Sequence, residues 1–387
     1  MPTAVLEPNR RQLFQLLSGA AALAASSAIA PPLFASDDKI LDIRRGAKPL
    51  LLHFNENSLG MSPKAIQAAQ AAVRDVAHRY ADDMIADLTD KLAAHHNVPK
   101  AQIVMGNGST EILKAVVRMA ANVGGTLIEP SPTFGVARDE AKAEGMPVVS
   151  VPVRENFTTN LAALRARTDS LNGPVLINIC NPNNPTGTIC GSDELTDWIR
   201  AAPEQHFFLI DEAYFDYAQP NPAYKSMLPL IREGADNLIV ARTFSKVYGM
   251  AGMRVGYGIA GPAAIGRIKP YSASYNLNAA GTAAAIASME DTAFYERSRT
   301  SNADAKAFLT ATLDRLGLAY IPSDTNFLLH RIGGPLADYS RRMKANGVRV
   351  GRRMTKEDGW NRLSIGTPAE MQAFADTLIA FRKHHWI

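Results

Sequence analysis

The sequence predicts an α/β fold. A large domain with a mostly parallel, seven-stranded sheet flanked by helices precedes a small α+β domain at the C-terminus. Short apolar runs without polar alternation, which are typical of strands buried on both faces, recur between helical patterns. Past Asp291 the pattern changes to long helical segments separated by short strands. The length of 387 residues suits about two domains.

The individual elements follow from apolar runs and helix-start signals. The predicted strands of the large domain cover 103–105, 126–128, 148–151, 175–180, 207–210, 238–240 and 254–259. Ser62 is the predicted N-cap of a helix that has Pro63 at its first position and runs to about residue 77. Further helices are predicted over 87–97, from 109 onward and over 161–167. In the small domain, helices that end at 316 or cover 336–346 and 368–382 alternate with strands at 324–329, 347–350 and 362–366.

The N-terminus has the features of an export leader. Arg10-Arg11 precedes an alanine-rich apolar stretch, and Phe14 follows three places later, as in a twin-arginine signal peptide. Cleavage after Ala30 or after Ala35 is compatible with the pattern. We expect a periplasmic or otherwise exported protein; a cytoplasmic protein with a non-functional tail is the alternative. The predicted division is a signal peptide at 1–35, an arm at 36–58, a large domain at 59–290 and a small domain at 291–387.

Composition and charge argue against several other classes of protein. The net charge is +4, and dense Lys/Arg runs interleaved with aromatics are absent from the sequence, so nucleic-acid binding is not expected. The apolar leader is too short for a stable membrane span. Neither the cysteines nor the histidine pairs, His95-His96 and His384-His385, have metal-site spacing, and the histidines are expected on the surface. A Cys180–Cys190 disulfide is conceivable after export, but Cys180 lies within a predicted core strand.

A lysine at a strand end is the most informative single residue. Lys246 follows the predicted strand at 238–240, and ligands of α/β folds bind at the carboxyl ends of strands. A lysine in such a place can form a Schiff base with an aldehyde cofactor when its amine is neutral. The hydroxyls of Thr243 and Ser245 and the guanidinium of Arg254 could hold a phosphate.

Other strand ends carry polar or aromatic side chains that point to the same cleft. Gly108, Ser109 and Thr110 begin a predicted helix, whose N-terminal N–H groups can bind an anion. Three further strands are followed by the ring of Phe134, the amide of Asn184 in an Asn/Pro-rich loop, and the carboxylate of Asp211. Each alone could be a plain structural residue, but their convergence predicts a ligand site.

The chain resembles the fold-type I, pyridoxal-phosphate (PLP)-dependent aminotransferases of class I/II, most closely their histidinol-phosphate aminotransferase branch. The resemblance extends over nearly the whole chain after the leader. Ser58 and Ala81 depart from it, because the family commonly has proline at these two positions. The matching stretches are 55–57, 62–65, 79–80, 106–109, 132–134, 181–187, 211–214, 242–254 and 362–367.

The resemblance implies a role for each residue of the cleft. Lys246 would bind PLP covalently and move the proton, Asp211 would pair with the pyridinium nitrogen, and Phe134 would stack on the ring. Asn184 and Tyr214 would hydrogen-bond the ring 3-oxygen. The phosphate would be held by Gly108, Ser109, Thr110, Thr243, Ser245 and Arg254.

The resemblance also implies substrate contacts and a homodimer. Arg362, with Asn184, would bind the acidic group of the substrate. Arg352 is our candidate among three arginines, at 349, 352 and 353, for the place where the branch has a phosphate-contacting arginine. Tyr80 would reach the cofactor phosphate of the neighbouring subunit.

The expected reaction is amino transfer between a small-molecule donor, histidinol phosphate or an aromatic amino acid, and a 2-oxo acid. The alternatives are a PLP-dependent lyase or decarboxylase, similar to threonine-phosphate decarboxylases, or a racemase, because the same electron sink serves all of these reactions. A PLP-binding protein without catalysis is a further alternative, against which the intact Lys246, Asp211 and Arg254 argue.

Overall fold

The computed structural model describes residues 38–39 and 47–387, and residues 47–387 lie within one compact unit. The predicted leader and, of the predicted arm, residues 36–37 and 40–46 lie outside the described residues. Within the part that is described, every helix is too short or too polar to cross a membrane. The boundary predicted at residue 291 stays a prediction.

The large sheet has the seven strands and the mostly parallel arrangement that the sequence predicts. Its strand order is β2-β8-β7-β6-β5-β3-β4, and β8 runs antiparallel to both of its neighbours. The strands are β2 (Ile103–Asn107), β3 (Thr126–Ser131), β4 (Val148–Pro152), β5 (Val175–Cys180), β6 (His206–Asp211), β7 (Leu238–Thr243) and β8 (Val255–Ala260).

Two small two-stranded sheets accompany the large sheet. β1 (Leu50–Leu52) pairs in parallel with β10 (Val348–Val350), so the predicted arm adds a strand to the C-terminal region. β9 (Phe327–Arg331) pairs antiparallel with β11 (Trp360–Ser364). The β1–β10 pairing connects positions about 300 residues apart in sequence. Both sheets contribute residues to the site described below.

Helices cover both faces of the large sheet. The N-caps Ser62, Asp291 and Thr367 each accept a hydrogen bond from the first helical turn, as expected from their side-chain oxygens. The helices with at least seven residues are α1 (Pro63–Asp75), α2 (Asp82–His96), α3 (Ser109–Asn122), α4 (Val136–Ala143), α5 (Leu161–Asp169), α6 (Ser192–Ala201), α7 (Pro262–Ile268), α8 (Ala279–Met289), α9 (Thr292–Arg315), α10 (Leu336–Ala345) and α11 (Pro368–Lys383).

The core lies on both faces of the central strands. Side chains alternate between faces along a strand, so Phe208 and Ile210 pack in one apolar cluster and Phe207 and Leu209 pack in the other. Every residue of β5, β6 and β7 is buried. This double burial explains why their sequences are apolar over most of their length.

Several predicted boundaries and placements were wrong. The helix predicted at 87–97 begins earlier, at Asp82. Ala81 before it makes no capping hydrogen bond, and the aspartates of the first turn were not used as a start signal. The strand predicted at 324–329 begins at Phe327, since Thr325 forms a tight turn with Ser323. Arg254 precedes its strand with a positive φ of 60°. His96 is buried and bonds to the Tyr257 hydroxyl at 2.8 Å, contrary to the expected surface position. Helices α4, α6, α7 and α8 were not predicted.

Candidate functional site

A cavity of about 680 Å³ opens at the carboxyl edge of the large sheet. The strand ends, the arm and the C-terminal sheets all contribute to its walls. Twelve of the predicted site residues line it: Ser109, Thr110, Phe134, Asn184, Asp211, Tyr214, Thr243, Ser245, Lys246, Arg254, Arg352 and Arg362. The predicted convergence of strand ends is therefore present in the structure.

Lys246 lies just beyond the end of β7 and lines the cavity. Its Nζ donates a hydrogen bond to the carbonyl of Asn55 at 3.1 Å. Burial, and next the positive charge of Arg362, lower the pKa of Lys246 to about 8, although Asp211 and Glu56 oppose this shift. The neutral amine is thus accessible near neutral pH, as a Schiff-base lysine requires.

Asp211 ends β6 and is almost fully buried. One carboxylate oxygen accepts a hydrogen bond from the Ala213 N–H at 3.1 Å, and the Cys180 thiol lies 3.9 Å from the other oxygen. Burial raises the pKa of Asp211 to about 6, while the Ala213 N–H and the charge of Lys246 act in the opposite direction. A buried carboxylate of this kind is suited to a cationic partner in the cavity. Both cysteines are free and buried.

Tyr214 and Asn184 are held by a chain of hydrogen bonds. The Tyr214 hydroxyl accepts from Asn55 Nδ2 at 3.1 Å and from Asn184 Nδ2 at 3.3 Å. Asn184 Oδ1 in turn accepts from the Arg362 guanidinium at 2.8 Å. The loop that carries Asn184 is held in place by Asn183, which donates to the Thr186 hydroxyl and to the Pro132 carbonyl.

One end of the cavity carries hydrogen-bond donors and a positive charge that suit an anion. Helix α3 begins at Ser109 after Gly108, which has no Cβ and so leaves room for the guanidinium of Arg254 close by. Arg254 is oriented by the carbonyls of Ala251 and Asn107, at 3.0 and 3.3 Å. The Thr243 hydroxyl donates to the Ser245 hydroxyl at 2.8 Å. A helix N-terminus, two hydroxyls and a guanidinium together fit a phosphate.

Arg362 on β11 lines the same cavity as Lys246. It is buried and stays oriented by the His53 carbonyl at 2.9 Å and by Asn184. Burial lowers the pKa of Arg362. Its buried Nε–H has no hydrogen-bond partner among the described residues, which leaves it a donor for an anionic ligand. Arg352, in the loop after β10, lines the outer part of the cavity.

Two predicted residues do not line the cavity. Gly108 lies directly behind it, where it makes room for Arg254. Tyr80 lies elsewhere on the surface, 75% exposed, with its ring 4.5 Å from that of Tyr275. The predicted contact of Tyr80 with a neighbouring subunit stays a prediction.

Sequence reasoning did not assign a role to Asn55, and it missed the cavity residues His53, Phe54, Ser340 and Met354. Asn55 has a positive φ of 56°, a conformation that asparagine tolerates better than most residues. The 55–57 stretch was the only sequence signal for it. The other four residues have no signal, because their position depends on how the C-terminal sheets fold onto the large sheet.

Comparison with known proteins assigns the family. Residues 47–378 match the family described as aminotransferase class I and II. A histidinol-phosphate aminotransferase of Moorella thermoacetica is 36% identical over 86% of this chain and 86% of its own. Histidinol-phosphate aminotransferase 2 of Ralstonia nicotianae is 38% identical over 84% of this chain and 87% of its own.

Solved structures agree with this assignment. A putative histidinol-phosphate aminotransferase from Erwinia carotovora atroseptica has a TM-score of 0.85 and 42% identity, covering 88% of this chain and 97% of its own. The histidinol-phosphate aminotransferase from Sinorhizobium meliloti, solved with pyridoxal-5'-phosphate, has a TM-score of 0.77 and 27% identity, covering 91% of this chain and 97% of its own.

The fold and the site thus define a PLP-dependent enzyme of fold type I. The chain belongs to the class I and II aminotransferases, and its activity is that of a transaminase. The anion-binding end, the accessible lysine and the buried carboxylate suit the phosphate, the aldehyde and the ring nitrogen of PLP, respectively.

Proposed function

We propose that this enzyme transfers an amino group to a 2-oxo acid from a donor that carries both a planar ring and an anionic group. Histidinol phosphate and aromatic amino acids are the two donors of this kind that we consider. The supporting observation is that Arg362 and Arg352 line the same cavity as several aromatic side chains. The names of the relatives at 33–38% identity add support for histidinol phosphate.

Each residue of the cavity would have a separate role in the reaction. When bound, PLP supplies an electron-withdrawing ring that stabilises negative charge at the substrate Cα. Lys246 Nζ would bind the cofactor and then carry the proton to and from the substrate. Asp211 would hold a positive charge on the ring nitrogen, and Phe134 would fix the ring plane. Arg362 would orient the acidic group of the substrate through its guanidinium edge.

The donor can be identified in a half-reaction. Purified enzyme with PLP is mixed separately with histidinol phosphate, phenylalanine, tyrosine, aspartate or glutamate, and the visible absorption of the bound cofactor is followed. Loss of this absorption, restored by a 2-oxo acid, would identify the donor. Release of CO₂ or pyruvate, or inversion of the donor, without such a cycle would contradict the proposal and support a lyase, decarboxylase or racemase.

Substitution of Arg352 distinguishes between the two types of donor. We expect Arg352→Ala to raise the KM for histidinol phosphate by about tenfold to a hundredfold, and to change the KM for phenylalanine little. Arg353→Ala is the matched control, because the Arg353 side chain bonds to the Thr355 carbonyl and does not line the cavity. Equal effects of the two substitutions would exclude a special role of Arg352.

We also propose a homodimer in which Tyr80 completes the phosphate site of the partner subunit. Support comes from the exposure of Tyr80 and its distance from this chain's own cavity. Coexpression of a Lys246→Ala chain with a Tyr80→Ala chain tests this. In a mixed dimer one site would carry both substitutions and the other neither, so activity should exceed that of either variant alone. Absence of this complementation, with mixed dimers isolated, would contradict shared sites.

Export through the twin-arginine route is proposed from the sequence of the leader alone. The full chain should appear in the periplasmic fraction with the leader removed, and Arg10→Lys together with Arg11→Lys should retain it in the cytoplasm. A full chain that stays cytoplasmic without the substitutions would contradict the proposal. An exported enzyme would favour an aromatic amino acid over histidinol phosphate as donor.

A further inference from the structure

The hydroxyl of Tyr214 lies between two side-chain amides. Asn55 Nδ2 is 3.1 Å from it and Asn184 Nδ2 is 3.3 Å from it. An amide nitrogen donates hydrogen bonds and does not accept them, so neither contact takes the proton of the hydroxyl. The phenol oxygen therefore accepts twice, and its own proton points in a third direction.

The orientation of both amides follows from their other contacts. Asn184 Oδ1 is 2.8 Å from the Arg362 guanidinium, which has only donors, so the oxygen of this amide faces Arg362 and its nitrogen faces Tyr214. Ser364 Oγ accepts from the Asn55 backbone N–H at 2.7 Å and lies 3.2 Å from Asn55 Oδ1. The serine proton is thus directed to Asn55 Oδ1, which leaves Asn55 Nδ2 for Tyr214.

We infer that Asn55 is a positioning residue that, together with Asn184, directs the hydroxyl proton of Tyr214 into the cavity, toward an anionic oxygen of the bound cofactor. This inference rests on the proposed contact between Tyr214 and the 3-oxygen of PLP. It assigns a function to a residue of the N-terminal arm, 159 positions from Tyr214 in sequence.

Asn55 is well held for this purpose. It is 1% exposed, and its carbonyl accepts hydrogen bonds from Lys246 Nζ at 3.1 Å and from Asn326 Nδ2 at 3.0 Å. One residue therefore contacts both the lysine and, through its side chain, the tyrosine. A buried, fully paired amide also has little freedom to rotate, so the direction of the Tyr214 proton is set before the cofactor binds.

The test is the pH midpoint of the visible absorption band of the PLP-bound enzyme. A hydrogen bond to the 3-oxygen stabilises its negative charge and weakens its hold on the neighbouring proton of the lysine linkage. Asn55→Asp keeps the shape and tolerates the same backbone conformation, but it replaces the donor with an acceptor that turns the hydroxyl proton away. We expect this substitution, like Tyr214→Phe, to raise the midpoint by roughly half to one pH unit.

Asn55→Gly removes the side chain without straining the positive φ, and it should raise the midpoint less. In a Tyr214→Phe background, Asn55→Gly should cause no further shift, because the proton that it positions is gone. Asn57→Ala is the matched control. Asn57 belongs to the same arm as Asn55, but its side chain donates to the Val247 carbonyl and to the Ser298 hydroxyl, so the midpoint should stay unchanged.

Three results would overturn the inference: an unchanged midpoint in Asn55→Asp, a full shift by Asn55→Gly in the Tyr214→Phe background, or an equal shift in Asn57→Ala. The last two would indicate that the arm acts through general packing. If Tyr214→Phe itself leaves the midpoint unchanged, the proposed Tyr214 contact fails as well. PLP affinity and thermal unfolding are measured on each variant, so that loss of fold is distinguished from loss of positioning.

Discussion

Gly108 offers the sharpest test of the anion-binding end of the cavity. Its φ of 72° and ψ of 165° lie in a region that is essentially restricted to glycine. A Cβ at this position would lie 2.9 Å from Arg254 Cζ, which is closer than side-chain carbons approach other atoms. Gly108→Ala should therefore strain the backbone and push the guanidinium out of place.

The size of the effect can be estimated from these two contributions. The backbone strain alone amounts to about 1–3 kcal/mol of the free energy of unfolding. Arg254 would also leave the carbonyls of Ala251 and Asn107, and a displaced guanidinium would lose a charge-assisted bond to phosphate worth about 1.5–3 kcal/mol. The corresponding loss of PLP affinity is about tenfold to a hundredfold.

The assay is titration of the apoenzyme with PLP, accompanied by urea unfolding without the cofactor. Gly252→Ala is the matched control, because it lies in the neighbouring loop with open space around it and without a positive φ. Its affinity and stability should stay near those of the unchanged enzyme. A Gly108→Ala variant that binds PLP as tightly as the control would refute the proposed phosphate role of this end of the cavity.

Three further predictions concern the charged residues. The rate of PLP capture by the apoenzyme should increase with pH and level off above about pH 8, because Lys246 must be neutral to react and its pKa is lowered to about 8. The rate is measured by stopped-flow absorbance. A rate that increases with a midpoint near pH 10 would contradict this prediction. Arg362→Lys should raise the KM for the 2-oxo acid by about tenfold to a hundredfold and leave PLP affinity nearly unchanged in steady-state and titration measurements, whereas an unchanged KM would remove Arg362 from the substrate site. Glu212→Gln should cost about 3–5 kcal/mol in urea unfolding, because it removes the negative charge that lies 2.8 Å from the buried Arg242 guanidinium, and a double variant with Arg242→Met should lose less.

The central strands and the lysine were predictable because their sequence signals are local. Strands β5 to β7 are buried on both faces, so each is apolar over most of its length. The predicted run at 175–180 matches β5, and the run at 207–210 lies within β6. Polar residues at the ends of parallel strands must meet at one edge of the sheet. For that reason Asp211 and Lys246 could be placed in one cleft without the structure.

The predictions that failed concern positions at which no side chain caps an element or at which the backbone conformation is unusual. Helix α2 begins at Asp82 after Ala81, which has no side chain that could cap it. Arg254 has a positive φ and lies before its strand, a conformation that its sequence does not indicate because most residues avoid it. Similarly, His96 is buried only because α2 packs next to Tyr257, a contact between residues 161 positions apart.

The sequence by itself determined the seven strands of the large sheet and their order along the chain, the residue types at the strand ends and, through its resemblance, the cofactor. Only the tertiary structure decided that Asn55 and Ser364, 309 positions apart, meet beside Tyr214, and that Arg362 bonds to Asn184. It also decided the shifted pKa values of Lys246 and Asp211. The physical reason is that burial and hydrogen-bond direction arise when distant segments pack together, whereas periodicity and turn chemistry are properties of neighbouring residues.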